Sequence, residues 1–280
     1  MNITAKTRLL GVIGHPIGHS LSPLMHNAAF DDDELDYAYV AMDVMPERLE
    51  AAVRGLAALG FIGFNVTMPH KDHILPLLDE LDEPARISGA VNTVVVDDGR
   101  LVGMNTDGSG FIEACSESGV RFSGKNVLLL GAGGAAAAVA VAVLTEKAAR
   151  LVIANRTLSR AEDLARKVSQ VDGCTELVAI PLDDAARVAA GADVIINTTY
   201  LGMKGRDTLP ISSEILGLEK VICDAVYRRG EVTRLIRSAQ EAGARTVSGE
   251  RMLLYQGVQA QRIWTGREPN VEVMSDALAE

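Results

Sequence analysis

A glycine-rich loop in the middle of the chain constrains the fold more than any other feature. The apolar run Val127–Leu130 is followed at once by Gly131-Ala132-Gly133-Gly134-Ala135-Ala136 and then by an alanine-rich stretch of high helix propensity. A second apolar run, Leu151–Ala154, comes next. Two short buried strands joined by a crossover helix are typical of a parallel sheet, so this segment predicts a β-α-β unit.

The loop fits the pattern G-x-G-x-x-A, which predicts a Rossmann-like dinucleotide-binding domain. Gly131 permits the tight turn, Gly133 lets backbone amides approach a pyrophosphate, and the small Ala136 lets the helix pack closely on the strand. The amides at the helix start present a partial positive charge to the phosphates. The alternative is a tight strand–helix turn that binds no ligand.

The residues after the second apolar run indicate which dinucleotide is bound. An NAD site places Asp or Glu there, about 20 residues beyond the loop, where the carboxylate accepts hydrogen bonds from ribose hydroxyls. This chain has Asn155-Arg156-Thr157 instead, with Arg160 one helical turn later. Guanidinium groups grip a 2′-phosphate, so the pattern favours NADP. The alternative is that both arginines only coat an exposed helix start.

Short apolar runs alternate with helical patterns along most of the chain, which predicts an α/β fold with parallel sheets. The other apolar runs are Leu9–Ile13, Tyr37–Met42, Phe61–Val66, Val91–Val96, Val194–Ile196 and Val221–Cys223. The alternation stops after Ala244, and two helical patterns follow, Met252–Thr265 and Val271–Ala279. We therefore expect an N-terminal α/β substrate domain (1–105, completed by returning helices in 246–280) and a doubly wound NADP-binding domain (106–245). The cleft between two such domains is the natural ligand site.

Composition excludes several other classes of protein. The 280 residues carry 27 Lys+Arg and 37 Asp+Glu, and the net charge of −10 argues against a nucleic-acid-binding face. The longest run without charged or strongly polar residues, Val127–Leu144, has 18 residues, ten of them Ala or Gly, so it is both shorter and less apolar than a membrane span of about 20 residues. Met1–Arg8 lacks a signal-peptide pattern, and Cys115, Cys174 and Cys223 form no C-x-x-C pair. We expect reduced, buried cysteines in a cytoplasmic protein.

A metal site is the alternative that the histidines raise, because all five fall within the first 73 residues. His15/His19 and His70/His73 have i,i+4 and i,i+3 spacings. No H-E-x-x-H pattern or cysteine partner accompanies them, and a proline and a glycine interrupt the first pair. We therefore predict no metal.

Four short motifs in the first 108 residues place polar groups at the ends of apolar runs or the starts of helices. Ser20 and Ser22 can both donate to a carboxylate, although Ser22 alone reads equally well as a helix N-cap. Pro69 suggests a helix start, which would put Lys71 in the first turn, as a proton-transfer group in a cleft or a solvated surface lysine. Together, the motifs offer hydroxyls, amides, one lysine and one acid, which suit a polyhydroxylated anion.

The chain resembles the shikimate/quinate dehydrogenase family over nearly its full length. Seven motifs carry the resemblance in order: H-S-L-S-P from His19, N-V-T-M-P-H-K from Asn65, A-V-N-T from Ala90, N-T-D-G from Asn105, G-A-G-G-A from Gly131, N-R-T from Asn155 and L-L-Y-Q-G from Leu253. The resemblance implies the reversible reduction of 3-dehydroshikimate to shikimate by NADPH, in the biosynthesis of aromatic amino acids.

The same resemblance implies a role for each site residue. Ser20 and Ser22 would hold the substrate carboxylate with help from Tyr227, and Asn65 would shape the pocket. The ring hydroxyls would be bound by Thr67, Asn92, Asp107 and Gln256. Lys71 and Asp107 would form the catalytic pair. The pyrophosphate would lie on Gly131, Ala132, Gly133, Gly134 and Ala135, the 2′-phosphate on Asn155, Arg156, Thr157 and Arg160, and the nicotinamide end against Ala225 and Gly249.

Some residues depart from the family pattern, and two other functions stay open. Ala137 stands where an arginine often follows the glycine loop, and Tyr200 makes the loop Thr199–Met203 unusual. An NAD-dependent quinate dehydrogenase of quinate catabolism is disfavoured by Arg156, and weakly by Ser22 in place of threonine. A non-catalytic sensor of the acid and the dinucleotide is disfavoured by the presence of both Lys71 and Asp107. The oligomeric state stays open, with a homodimer as one option.

Overall fold

The computed structural model describes residues 3–203 and 208–279 of the chain. They form two compact units, one of Met1–Thr106 with Gln256–Glu280 and one of Asp107–Tyr255. Each unit is built around one six-stranded sheet, counted over the described residues. The α/β class that the sequence predicts is confirmed.

The first unit contains the strands and helices of the N-terminal third of the chain. Its strands are β1 (Arg8–Gly14), β2 (Tyr37–Asp43), β3 (Gly63–Val66), β4 (Glu80–Leu81), β5 (Thr93–Asp97) and β6 (Arg100–Met104), in the spatial order β2-β1-β3-β5-β6-β4. Its first helices are α1 (Ser22–Asp32), α2 (Leu49–Ala58) and α3 (Glu83–Ser88). One face of the sheet buries Ile13, Phe64, Val66 and Val94 against Val53 and Leu56 of α2.

The sheet of the first unit is mixed, so the prediction of a parallel sheet was wrong here. β1 pairs in parallel with β2 and β3, whereas β5 pairs antiparallel with β3 and with β6. The antiparallel pair of β5 and β6 is closed by a two-residue hairpin, in which Asp98 and Gly99 have φ of 47° and 79°. Positive φ at both central positions suits the tight turn between antiparallel strands, and an Asp-Gly pair is its usual sequence signal.

The second unit is a parallel, doubly wound sheet, as the glycine loop predicts. Its elements are α4 (Asp107–Glu117), β7 (Asn126–Leu130), α5 (Gly134–Thr145), β8 (Arg150–Asn155), α6 (Leu158–Val168), β9 (Glu176–Pro181), α7 (Ala185–Ala189), β10 (Val194–Asn197), β11 (Val221–Asp224), α8 (Arg234–Glu241) and β12 (Arg245–Val247). The strand order is β12-β11-β10-β7-β8-β9. The order reverses between β7 and β10, and in such sheets ligands bind beyond the strand ends at this point.

Two helices, α9 (Gly249–Thr265) and α10 (Val271–Ala279), end the described chain and confirm the two C-terminal helical patterns. α10 packs on α1, and His26 Nδ1 lies 2.9 Å from Gln261 Oε1, so these helices return to the first unit. The chain enters the first unit at Gln256, inside α9, rather than at residue 246 as the pattern suggests. The alternation also runs on through β12, which is too short to show a period.

Two further expectations concern the burial of the cysteines and a membrane span. Cys115 and Cys223 are buried, but Cys174 is exposed, so the prediction of three buried thiols was wrong for that residue. Cys174 lies in a polar turn, where its amide donates to Asp172 Oδ1 at 3.2 Å. Within the ranges 3–203 and 208–279, no helix has both the length and the apolar character that a membrane crossing requires.

Candidate active site

Gly131 makes the turn that connects β7 to α5. Its φ of 113° lies in a region that other residues rarely adopt, and a Cβ there would lie 2.6 Å from Thr198 Oγ1. Its amide donates to the carbonyl of Ala154 at 2.8 Å. The loop after β7 therefore touches the loop after β10, at the switch point of the sheet, and the fold itself requires glycine at this position.

Gly133 differs from Gly131 because the fold does not require it to be glycine. It is the N-cap of α5 with φ of −95°, and a Cβ there would meet nothing within 4 Å. Open space therefore lies over the N-terminus of a 12-residue helix, whose amides attract phosphate. Ala136 is fully buried, as close packing of the helix on the sheet demands. These features fit the pyrophosphate of a dinucleotide.

Two exposed arginines follow the end of β8. Asn155 Nδ2 donates to the carbonyl of Thr157 at 2.9 Å and shapes the turn, and Thr157 is the N-cap residue of α6. Arg156 and Arg160 form no ion pair with any residue that the structure describes. Their guanidinium groups are therefore available to an anion such as a 2′-phosphate.

Ala225 and Gly249, which the family resemblance assigns to the nicotinamide end, lie against each other in the second unit. Ala225 follows β11, and its amide donates to the carbonyl of Asn197 at 2.8 Å. A Cβ on Gly249 would lie 2.4 Å from the carbonyl oxygen of Val226 and 2.8 Å from the carbonyl carbon of Ala225. Tyr227 comes next, and burial raises its pKa, so its hydroxyl stays protonated and can donate a hydrogen bond.

Ser22 is the first residue of α1, not its N-cap. The N-cap is Leu21, without a side-chain capping bond, so the capping interpretation of Ser22 was wrong. The Ser22 amide lies 3.4 Å from Ser20 Oγ, and the Ser22 side chain hydrogen-bonds Tyr39. Tyr39 lies in β2, inside an apolar run, and the sequence did not single it out.

Asn65 has all its side-chain polar atoms paired within the first unit. Tyr39 donates its hydroxyl hydrogen to Asn65 Oδ1 at 2.5 Å. Asn65 Nδ2 donates to the carbonyl of Asn92 at 3.0 Å and to Thr93 Oγ1 at 3.1 Å. The side chain is buried and holds β2, β3 and the start of β5 together.

Asn92 and Gln256, which lie 164 residues apart in the sequence, meet in the first unit, where Asn92 Nδ2 donates to Gln256 Oε1 at 3.3 Å. Asn92 Oδ1 accepts the amide hydrogen of Thr106 at 2.8 Å, and Thr106 Oγ1 donates to the carbonyl of Gln256 at 3.0 Å. The sequence did not single out Thr106, although it lies within the N-T-D-G motif. The result is a buried amide cluster with hydroxyls of two threonines, Thr93 and Thr106, beside it.

Lys71 lies in a turn, so the prediction of a helix starting at Pro69 was wrong. The amide of His70 donates to the carbonyl of Thr67 at 2.9 Å, and the next regular element is a 3-10 helix at Leu75–Leu77. An α-helix would have to continue through Pro76, which has no N–H to donate. The carbonyl of Lys71 accepts the amide hydrogen of Val91 at 2.8 Å, which holds the lysine backbone next to the segment leading to Asn92.

Asp107 is the first residue of α4 and is buried, with 5% of its surface exposed. A carboxylate in this position interacts favourably with the helix dipole. The histidine pairs do not converge in the manner of metal ligands. His15 Nδ1 contacts Asp43 Oδ1 at 2.7 Å, and His70 Nε2 contacts the carbonyl of Val44 at 2.7 Å. Across the described parts of the chain, no group of three or more His, Cys, Asp or Glu could hold a metal ion.

Sequence profiles of three protein families match the chain. Residues 12–94 match the shikimate dehydrogenase substrate binding domain, residues 113–202 match shikimate / quinate 5-dehydrogenase, and residues 249–279 match the shikimate 5′-dehydrogenase C-terminal domain. The shikimate dehydrogenase (NADP(+)) of Rubrobacter xylanophilus is 56% identical over 278 residues, which cover 99% of this chain and 97% of that protein.

Two solved structures are similar over the whole chain. One is a shikimate dehydrogenase in complex with NADP⁺, which has a TM-score of 0.91 and 43% identity and covers 99% of this chain and 96% of that one. The other is the Listeria monocytogenes shikimate 5-dehydrogenase in complex with shikimate and NAD, with a TM-score of 0.91, 37% identity and coverage of 99% and 98%.

Proposed function

The chain belongs to the shikimate dehydrogenase family, and on this premise we propose that it catalyses the reversible reduction of 3-dehydroshikimate to shikimate by NADPH. The observation that carries the proposal is the buried amide cluster, in which Asn92 and Gln256 meet from distant parts of the sequence. Amides and hydroxyls are the groups that bind a polyhydroxylated ring, and the amide of Val91, the residue before Asn92, donates to the carbonyl of Lys71 at 2.8 Å. The reaction serves the biosynthesis of aromatic amino acids.

The reaction requires the protein to orient one carbonyl group and to transfer one proton. Bound NADPH supplies the hydride that reaches the carbonyl carbon. Lys71 donates its proton to the carbonyl oxygen as charge develops there, and accepts it back when shikimate is oxidised. General acid–base catalysis of this kind contributes about 10²–10⁴ in rate. Asp107 is the second proposed catalytic residue, and its carboxylate also accepts a hydrogen bond from a ring hydroxyl.

The substrate carboxylate is assigned to three hydroxyl donors, Ser20, Ser22 and Tyr227. Burial raises the pKa of Tyr227, so its hydroxyl is protonated and can donate to an anion, as the assignment requires. The ring hydroxyls are assigned to Thr67, Asn92, Asp107 and Gln256. Asn65 is assigned a shaping role, which is supported by the pairing of its polar atoms inside the unit.

The dinucleotide is assigned to the second unit. The loop Gly131, Ala132, Gly133, Gly134 and Ala135 would hold the pyrophosphate, and Ala225 and Gly249 would line the nicotinamide end. Asn155, Arg156, Thr157 and Arg160 would hold the 2′-phosphate. The two arginines without carboxylate partners among the described residues favour NADP over NAD, because NAD offers them no phosphate.

Initial rates with shikimate and quinate, each with NADP⁺ and NAD⁺, test the proposal. Absorbance at 340 nm follows reduced cofactor. We expect the highest kcat/KM with shikimate and NADP⁺. A preference for quinate and NAD⁺ would contradict the proposal and support the catabolic alternative, and binding of both ligands without any turnover would support the sensor alternative.

Two finer points belong to the same proposal. We place the enzyme in the cytoplasm, where its NADPH and the other small molecules of amino-acid synthesis are found. We also propose that the enzyme forms a homodimer, since two-fold dimers are the commonest soluble oligomers. Sedimentation velocity at micromolar concentration distinguishes a dimer from a monomer.

A further inference from the structure

Three buried polar side chains meet at the carboxyl ends of β10 and β11 in the second unit. Asn197 ends β10, Asp224 ends β11, and Thr233 is the N-cap of α8, with 0%, 2% and 4% of their surfaces exposed. Asn197 Nδ2 donates to Asp224 Oδ1 at 2.9 Å, and Thr233 Oγ1 donates to Asp224 Oδ2 at 2.6 Å. The amide of Val226 donates to Asp224 Oδ1 at 3.0 Å. We call these three side chains the aspartate hub.

The aspartate hub ties together the two loops that follow β10 and β11. Asn197 Oδ1 accepts from the amide of Thr199 at 3.0 Å and from its hydroxyl at 2.7 Å, and Asn197 Nδ2 donates to the carbonyl of Leu201 at 3.1 Å. The carbonyl of Asn197 accepts the amide hydrogen of Ala225 at 2.8 Å. Both loops therefore take their position from the same two side chains.

Arg228 makes a second tie between the same loops. Its Nε donates to the carbonyl of Gly202 at 2.7 Å and its Nη2 to the carbonyl of Met203 at 3.1 Å. The positive charge of Arg228 also acts on Asp224, where it opposes the effect of burial. Burial is the stronger of the two, and the pKa of Asp224 is raised above its ordinary value.

Burying a carboxylate costs desolvation free energy, so stability alone does not explain why Asp224 holds the two loops. Apolar side chains of similar volume often stabilise a core as well or better. Hydrogen bonds, in contrast, fix direction as well as distance. The connection held by Asp224 carries Ala225 and Tyr227, and the Val226 carbonyl lies against Gly249, so all three assigned residues move if this connection moves.

We propose that Asp224 is a positioning residue for catalysis, acting with Asn197 and Thr233 to hold the segment that faces the nicotinamide ring and the substrate carboxylate. This inference rests on the proposed function, since it takes Ala225, Tyr227 and Gly249 as site residues. Asp224 touches neither substrate nor cofactor in this account. It acts through the backbone of Ala225 and Val226.

The test compares paired variants of the full-length enzyme. Thr233→Val removes the hydroxyl that donates to Asp224, and Thr233→Ser keeps it. Asp224→Ala removes both acceptor oxygens, whereas Asp224→Asn keeps one oxygen for Asn197 and Val226 and offers an N–H to Thr233 Oγ1. Asp193→Ala is the matched control, because Asp193 precedes β10 at the opposite end of the same sheet and accepts the amide hydrogen of Asn126 at 2.8 Å.

Two ligands separate positioning from general damage to the unit. The first is NADPH, and the second is 2′-phospho-ADP-ribose, which is NADP⁺ without its nicotinamide. We expect Thr233→Val and Asp224→Ala to lower kcat/KM for shikimate by about 10- to 100-fold and to weaken NADPH binding, because small displacements of reacting groups cost rates of this size. Binding of 2′-phospho-ADP-ribose should stay within about twofold of wild type, and Thr233→Ser and Asp224→Asn should restore most of the rate.

Three outcomes overturn the inference. One is a folded Thr233→Val enzyme with unchanged kcat/KM. The second is an equal loss of affinity for both ligands, which indicates general damage to the unit. The third is a failure of Thr233→Ser to restore activity. If Asp224→Ala does not fold, the Thr233 pair decides the matter. If the wild-type enzyme binds 2′-phospho-ADP-ribose but does not oxidise shikimate, the result contradicts the proposed function and not the positioning role of the aspartate hub.

Discussion

The hydroxyl of Tyr39 donates to Asn65 Oδ1 at 2.5 Å, and this bond completes the pairing of the Asn65 amide inside the first unit. Burial raises the pKa of Tyr39 well above its ordinary value, so the hydroxyl remains a donor at every working pH. The same tyrosine hydrogen-bonds Ser22, one of the assigned carboxylate donors. Tyr39 therefore connects two assigned site residues without being assigned to the substrate itself.

Replacing Tyr39 by phenylalanine should weaken both stability and substrate binding. The change leaves Asn65 Oδ1 buried without a donor, which costs about 1–3 kcal/mol of unfolding free energy. Ser22 loses a partner as well, so KM for shikimate should rise more than kcat falls. Urea unfolding and initial rates measure the two effects.

The matched control is Tyr37→Phe in the same strand, β2. The Tyr37 hydroxyl accepts from Arg8 Nη1 at 3.0 Å in an exposed position, so its loss should cost less than about 0.5 kcal/mol. Equal effects of the two changes on the unfolding free energy would contradict the special role of the Tyr39–Asn65 bond.

Alanine substitution should lower stability at the first glycine of the loop, Gly131, and lower NADPH binding at the second, Gly133. Gly131→Ala forces a side chain to φ of 113° and against Thr198, so it should lower the unfolding free energy by about 1–3 kcal/mol. Gly133→Ala has room and an ordinary φ, so the unliganded protein should keep its stability. NADPH affinity should nevertheless fall, because the new methyl group occupies the space assigned to the pyrophosphate. Thermal unfolding with and without NADPH separates these effects, and unchanged stabilisation of Gly133→Ala by NADPH would contradict the assignment.

Removing the guanidinium groups after β8 should relax the preference for NADP. Arg156→Ala and Arg160→Ala each remove a charge-assisted partner of the 2′-phosphate, so KM for NADP⁺ should rise by about 10-fold or more per change. KM for NAD⁺ should change little. Arg166→Ala is the control, since Arg166 lies on α6 with Arg160 and pairs with Asp163 at 3.0 Å. A parallel rise of both KM values, or an effect of the control as large as that of Arg156, would count against the assignment.

Stability should fall on acidification in a way that depends on His26. This ring is fully buried, and burial lowers its pKa from 6.5 to about 4. Between these values the unfolded chain binds a proton that the folded protein does not, so the unfolding free energy rises with pH. The buried neutral His26 therefore adds about 3 kcal/mol to the unfolding free energy above pH 6.5, relative to acidic pH. This stability is lost as the pH falls from 6.5 toward 4.

A His26→Gln variant should therefore show a flatter dependence of unfolding free energy on pH between 6.5 and 4. His73→Gln is the control, because 71% of that side chain is exposed and no group leaves the core. Urea unfolding at a series of pH values provides the comparison. Identical slopes for wild type and His26→Gln would show that the buried imidazole does not cause the acid sensitivity.

Features that depend on local backbone geometry or local charge could be predicted from the sequence. The turn at Gly131 and the arginines after β8 are of this kind. A positive φ favours glycine, and a guanidinium group belongs to arginine, so the residue type alone indicates the feature. The Asp98-Gly99 hairpin also has a local signal, although the expectation of parallel strands overrode it. With that signal, β6 and the mixed sheet could have been predicted.

Features that depend on partners far away in the chain could not be predicted in the same way. The Tyr39 side chain belongs by pattern to an apolar strand, and only the tertiary fold brings Asn65 opposite its hydroxyl. The meeting of Asn92 with Gln256 bridges 164 residues, and resemblance to a family, not spacing, brought both to attention. The Lys71 turn was mistaken for a helix because Pro69 starts helices and turns equally well.

Lys71 is proposed to carry the proton in the oxidation of shikimate by NADP⁺. The most direct measurement is kcat of Lys71→Ala, together with its Kd for shikimate by calorimetry and with Lys125→Ala as the control for loss of an exposed ammonium group. We predict that kcat falls by about 10²–10⁴, that shikimate affinity changes little, and that the control behaves as wild type. A Lys71→Ala enzyme that binds shikimate and turns over at a near-normal kcat would contradict the account.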